Sequence, residues 1–416
     1  MELYWLWISL LESLSAIGCF RAVGALGSPQ AVYEAGEQLL REAGLTSHEQ
    51  EALRDRDLTE ALRVQTFCME HEIGILTYDD PRYPELLRSI ADPPELLYYM
   101  GTLPDFNQEL TIAVVGHRKA SQYGVMMARK LGFELSKAGV VVVSGGAEGV
   151  DAAAMEGALR GGSPVVGVLG GGVNVIYPKK NRRLLEDVRR FGCLLSEYPP
   201  DAKPLSWHFP VRNRIISGLS RGVVVAEAPK RSGSLITARL ALEQGRDVFA
   251  VPGNAGMPIC AGSNDLLRQG AGCTEFGSDV IQSYTYLFQD QVRVLTEEEA
   301  TAYGAEITKL PDDGNEKIAA SEVQIPQSGD KKDVDKTAKR TYIDVQEALF
   351  GLSEAESTVL RNLGQTPMTA DELIRETGLS TAQALGALTM LEIRGLTQSC
   401  PGGSYTLAFK KDSEEP

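Results

Sequence analysis

Apolar residues recur at helical spacing through the first 75 positions, as in Leu3, Leu6, Leu10 and Leu14 and again in Val32, Leu39 and Leu40. Gly18, Gly24, Gly27 and Pro29 interrupt them, so the pattern predicts a small helical domain over 1–75. Its opening run, 3–11, lies between Glu2 and Glu12 and has no basic leader or small-residue cleavage site. That predicts an amphipathic first helix and no membrane insertion. Segment 14–27 fits a weak helix-hairpin-helix, whose Gly-centred turn would offer N–H groups to a phosphate, and fits a plain packing or dimer module equally well.

Past a Pro-rich join (Pro81, Pro84, Pro93, Pro94) the pattern changes to short β-branched runs alternating with helix-length segments. This predicts an α/β domain over 80–290, with a parallel sheet joined by crossover helices. Strands are expected at 112–115, 140–143, 165–169, 194–196, 223–226 and 248–251, and helices at 123–138, 151–160, 181–190 and 234–244. Over 296–345 the chain turns to Asp, Glu, Lys, Ser and Gly, the composition of a flexible linker. Residues 350–409 then read as three helices and a hairpin, a winged-helix outline, with Ser353 and Thr369 as N-caps, a third helix over 381–394 and two strands over 396–407 around Gly402 and Gly403.

Charge sharpens this division. The 416 residues carry a net charge of -15, which by itself argues against a polyanionic partner. Residues 110–275, however, hold 21 Lys and Arg against 13 Asp and Glu, so a basic domain sits between acidic flanks. The third helix of the tail offers only Arg394, beside Glu392, and this favours protein association over DNA reading for the winged helix. Six scattered cysteines without a C-x-x-C pair signal neither a zinc site nor a disulfide framework, and read as reduced thiols of a cytoplasmic protein.

The candidate chemistry lies in loops that follow the expected strands, where ligands of such sheets bind. The first runs from Gly116 to Gly124 and contains Arg118, suited to a bidentate phosphate contact, and Ser121, suited to cap the next helix and donate to an anion. In the second, Ser144, Gly145 and Gly146 can form a backbone nest, and Asp151 opens a helix. The third places Lys179, Lys180 and Asn181 beside Tyr177. A fourth segment, 207–220, sets Trp207, His208 and Phe209 beside Arg212, Asn213 and Arg214, the mixture that stacks unpaired bases and holds their backbone, although one arginine of the pair suits loop organisation as well. The fifth, with Ser232, Ser234 and Thr237, combines helix capping with room for an anion. No dinucleotide G-x-G-x-x-G or Walker Gly-Lys-Ser/Thr is present, so no cofactor is expected, and neither a metal nor a catalytic group is assigned.

Taken in order, G-x-R-x-x-S, S-G-G-A-x-G-V-D, Y-P-x-x-N, F-P-x-R-N-R-I-I-S-G-L-S, S-G-S-L-I-T-A and G-R-D-V-F-A-V-P-G resemble the DNA-processing protein A family, also called Smf, continuously over about 80–275. The resemblance implies an extended Rossmann-like core that dimerises and binds single-stranded DNA with little sequence preference. It further implies loading of RecA recombinase on incoming DNA during natural transformation. Arg118, Lys179 or Lys180, and Arg212 are the positions it turns toward DNA. Two other readings stay open at this point: cleavage of a nucleotide N-glycosidic bond, with Asp151 or Glu227 as the carboxylate, and a nucleotide sensor signalling through the tail.

Overall fold

The computed structural model describes residues 1–296, except 12 and 290, and parts of 358–407. Beyond Thr296 the expected linker lies outside the described residues, as do Ser353, Arg394, Gly402 and Gly403. The chain forms two compact units.

The first unit is built on nine strands: β1 (Gly74–Thr77), β2 (Leu96–Gly101), β3 (Thr111–Val115), β4 (Val141–Ser144), β5 (Val165–Val168), β6 (Cys193–Ser196), β7 (Gly222–Val225), β8 (Asp247–Ala250) and β9 (Gly272–Cys273). Their order across the sheet is β1-β2-β6-β5-β4-β3-β7-β8-β9. From β6 to β9 every pairing is parallel, as the run pattern predicts. The six expected strands are present within a residue of their expected ends. The pattern did not mark β1 and β2, which extend the sheet as an antiparallel edge with Tyr98 opposite Ser196. They bracket the Pro-rich join, whose prolines fall between the two strands and leave their ladders uninterrupted.

Side-chain alternation sends Ile112, Val114, Val140 and Val142 into one core and Ala113, Val115, Val141 and Val143 into another on the opposite face. Helices α8 (Gln122–Lys137), α9 (Val150–Gly161) and α10 (Arg182–Phe191) cover the first face, and α11 (His208–Gly218) and α12 (Gly233–Glu243) cover the second, as the membership of each core records. Two short helices complete this part, α13 (Ala261–Arg268) and α14 (Gly277–Ile281), and α7 (Glu85–Arg88) lies between β1 and β2. The contact between α8 and α9 is backbone to backbone: a Cβ at Gly132 would lie 2.1 Å from the Ala154 carbonyl oxygen, and one at Gly157 2.0 Å from that of Arg129.

Ahead of the sheet stand α1 (Glu2–Ser9), α2 (Ala16–Leu26), α3 (Pro29–Glu34), α4 (Glu37–Glu42), α5 (Ser47–Ala52) and α6 (Thr59–Glu70). Ser15, Ser28 and Thr46 cap α2, α3 and α5 by accepting from the Gly18, Ala31 and Glu49 N–H groups. Two expectations change. Trp5, Leu6, Trp7 and Ile8 are all buried, so α1 is covered on every side, because α3, α6 and the sheet edge pack around it. Gly18 and Gly24 do not break the chain but lie within α2, which spans most of 14–27 as one helix and leaves the left-handed turn at Gly27.

In the second unit β10 (Met368–Thr369), β11 (Thr397–Cys400) and β12 (Ser404–Leu407) form an antiparallel sheet of order β10-β12-β11. Thr369 caps α15 (Ala370–Thr377) by accepting the Glu372 N–H, and the Glu372 carboxylate accepts the Thr369 N–H in return. Val359, Leu360, Leu363, Leu373, Ala387, Leu388 and Leu391 share one core.

Gly157→Val would force α8 and α9 apart and is expected to cost about 1–3 kcal/mol or more, seen as a lower urea midpoint of the first unit. A second prediction concerns Glu134 on α8, fully buried, which accepts the Gly277 N–H at 2.7 Å. Burial pushes its carboxyl up to about 7, against the pull of that N–H and of Lys130. An unfolded glutamate titrates near about 4.3, so the stability linked to the bound proton is full below that pH and is lost as pH rises through about 7. Glu134→Gln should therefore melt above the parent at pH 8 and close to it at pH 5.

Candidate functional site

Strand order dictates where a ligand can enter. From β3 the chain steps outward through β4, β5 and β6 and then returns to β7 on the other side of β3, so a crevice opens outside the carboxyl ends of β3 and β7. A cleft of about 280 Å³ occupies that place, lined by Gly116, His117 and Arg118 after β3, Ala147 and Asp151 after β4, and Arg231 to Ser234 with Ile236 and Thr237 after β7. Helix α11 supplies Phe209, Pro210, Arg212 and Asn213 to the same wall. The pattern gave no helix for this segment, since its register of Arg, Asn and Ser conceals a buried apolar side at Ile215 and Ile216.

Arg212 is buried at the cleft floor, donating to the carbonyl oxygens of Gly145, at 2.9 Å, and Val168. Desolvation pulls its pKa down to about 10, with Asp151 working the other way, so the guanidinium stays charged at neutral pH. Asp151 is raised by burial, while Arg212, the Ala147 and Gly116 N–H groups and Arg118 favour its ionised form. Gly145 is wedged between them: a Cβ there would lie 2.7 Å from both Arg212 Nη2 and Asp151 Oδ2.

Above this floor Arg118 is exposed, its guanidinium carbon 5.1 Å from the Phe209 ring centre, with that of Arg212 at 5.9 Å. Tyr177 lies 5.5 Å from Phe209 and is 43% exposed, and Trp207 is 61% exposed, so an aromatic shelf adjoins the cations. Ser232 precedes α12 without capping it through its side chain and instead shares a 2.8 Å hydrogen bond with Ser234. Helix α9 likewise starts from Gly149 with no side-chain cap. Two helix N-termini and three arginines thus converge on one cleft, a setting that favours a bound anion.

The structure separates the expected residues into two groups. Gly116, Arg118, Asp151, Phe209, Arg212, Asn213, Ser232, Ser234 and Thr237 line the cleft, and Lys179 and Lys180 are exposed in a short 3-10 turn beyond Tyr177. The other expected side chains are taken up by hydrogen bonds within the protein. Ser144 donates to the Val114 carbonyl, Asn181 donates to those of Gly146 and Ala147, and Ser121 donates to Glu227. Gly124, Gly145 and Gly146 are buried supports of the loops. Arg214 lies on the far side of α11, bound by Glu197 and by Asp92 at 3.1 Å. Burial lowers its pKa, but Glu197 and Asp92 outweigh burial and hold it above the ordinary value. His208 is stacked on Tyr198 at 3.8 Å and bonded to the Gly170 carbonyl, so it offers no free face. Arg231 and Ser206, to which the sequence pattern assigns no role, also line the cleft; the signal for Arg231 is its place directly before S-G-S.

Among the described residues no cluster of His, Cys, Asp and Glu is arranged to hold a metal, and no helix is long and apolar enough to cross a membrane. The two carboxylates considered above are both engaged: Glu227 accepts twice from Ser121, and Asp151 accepts backbone N–H groups.

This division predicts opposite stability effects for two arginines. Arg214→Ala removes a buried guanidinium and leaves half-buried Glu197 without its partner, and should cost about 3 kcal/mol, whereas Arg118→Ala should stay within about 0.5 kcal/mol of the parent. Urea unfolding of the two variants checks this.

Comparison with known proteins agrees with the geometry. The family described as DNA recombination-mediator protein A matches residues 74–285, and the DprA winged helix domain matches 346–403. The DNA processing protein DprA of Bacillus subtilis is 40% identical over 220 residues, 53% of this chain and 74% of the relative. Protein Smf of Synechocystis is 35% identical over 347 residues, 82% of each chain. The crystal structure of DNA processing protein A from Streptococcus pneumoniae, 35% identical, superposes with a TM-score of 0.58 over 67% of this chain and 95% of that one. The chain described here belongs to the DNA-processing protein A family, also called Smf.

Proposed function

We propose that this chain is a non-catalytic protein that binds single-stranded DNA along the carboxyl edge of its sheet, with a phosphate seated in the switch-point cleft. The observation that carries the reading is the convergence of Arg118, Arg212 and Arg231 with the N-termini of α9 and α12, beside Phe209, Tyr177 and the exposed Trp207. Cations and uncapped helix starts favour phosphate regardless of sequence, and the aromatic shelf suits unpaired bases. Arg118 makes the direct phosphate contact, buried Arg212 supplies fixed charge beneath it, and Lys179 and Lys180 extend the track.

Family membership supports the finer reading: the protein works in the cytoplasm as a homodimer, protects incoming DNA and loads RecA recombinase during natural transformation and recombination. The winged-helix unit serves protein association, in keeping with its acidic character.

Fluorescence anisotropy with labelled oligo-dT of increasing length, against a matched duplex and across a salt series, tests the core of this proposal. Binding should grow with length, favour the single strand and weaken steeply with salt. Arg118→Ala should weaken it about tenfold and reduce the salt slope by about 0.7. Saturation by a mononucleotide, with no gain from a longer strand, would sink the proposal and favour the nucleotide sensor.

A further inference from the structure

The loop bearing Arg118 is held at both ends by one residue outside it. Glu227 follows β7 and is only 1% exposed. Its carbonyl oxygen accepts the His117 N–H at 2.8 Å. Its side chain accepts from Ser121 twice, Oε2 from the backbone N–H at 2.7 Å and Oε1 from the hydroxyl at 2.6 Å. Only Arg118, Lys119 and Ala120 lie between these anchors. Ser121 Oγ in turn accepts the Gly124 N–H at 3.1 Å and so caps α8. A Cβ at Gly124 would stand 2.6 Å from Glu227 Oε2, so the glycine of this turn makes room for the carboxylate. Cys260, from the segment after β8, donates its thiol to Glu227 Oε1 at 3.8 Å.

A buried carboxylate beside a phosphate site works against the ligand's charge, and its presence calls for a compensating task. Two short, charge-assisted bonds to one residue fix the path of a loop more firmly than neutral ones would. We infer that Glu227 is a positioning residue for nucleic-acid binding: by clamping Ser121 and His117 it holds Arg118 where a DNA phosphate meets it. The inference rests on the reading that Arg118 contacts phosphate. It also gives Ser121 its role, as the link through which the clamp acts. Glutamine at 227 would keep one oxygen for the Ser121 N–H and meet the Ser121 hydroxyl with an N–H₂ group, so one side-chain bond reverses and the clamp loses its charge at nearly constant volume.

The test is a binding cycle on the full chain with labelled oligo-dT, comparing the parent, Arg118→Ala, Glu227→Gln and the double variant at several salt concentrations. Glu227→Gln should weaken binding about fivefold and lower the salt slope toward that of Arg118→Ala, by up to about 0.7. The double variant should bind within about twofold of Arg118→Ala alone, since both changes remove one contact. Parental affinity and slope in Glu227→Gln would overturn the inference, and so would losses that multiply in the double variant. If Arg118→Ala itself binds like the parent, the fault lies in the functional reading on which the inference rests. Should Glu227→Gln fail to fold, Ser121→Ala takes its place in the same cycle; it keeps the backbone bond to Glu227, and its loss of affinity should also disappear in the Arg118→Ala background.

Discussion

The strands from Thr111 to Ala250 are apolar on both faces, and a sheet of that kind must be covered by helices on each side. Parallel neighbours then need crossovers, and every crossover helix begins at the same edge of the sheet. Loops and helix N-termini are collected there as a consequence of burial, before any ligand is considered. Reversal of strand order at β3 and β7 leaves one gap in that edge, and the cleft lies in it.

Charge is distributed in the cleft by burial. Arg212 and Asp151 form a dehydrated floor whose charges are steadied by backbone groups on three loops. Arg214, two residues along the same helix, faces the opposite way and joins α11 to Glu197 and Asp92. Arg118 alone of these three arginines is exposed. Chemically identical side chains therefore serve as floor, anchor and display, and the difference is one of position relative to α11 and the sheet. The same holds for the carboxylates: Asp151 and Glu227 organise loops by accepting their hydrogen bonds, and the local positive field comes from arginines and helix ends that those loops hold in place.

Much of the fold was legible from pattern alone. Continuous apolar runs marked β3 to β8, and helical spacing marked α8, α9, α10 and α12, because burial on both faces and on one face leave different periods. The N-terminal glycines misled: Gly18 and Gly24 lie inside α2, where packing against neighbouring helices outweighs their weak propensity. The antiparallel strands β1 and β2 and helix α11 escaped notice, since a proline-rich join and a polar-looking motif hide elements whose stability comes from neighbours distant in sequence.

By itself the sequence determined that a basic α/β domain with glycine-rich loops lies between acidic flanks, which loops carry the candidate chemistry, and which family they resemble. Those are local properties, written in runs and spacings of a few residues. Only tertiary structure decided which polar side chains reach the cleft and which are used up within it. Ser121, Ser144, Asn181 and Arg214 look like ligands along the chain, yet each finds a partner 17 to 122 residues away. Arg231 enters the cleft because β7 lies beside β3. A hydrogen-bonding group can bind a ligand only with capacity its own fold has left unused, and that remainder depends on contacts that spacing along the chain does not encode.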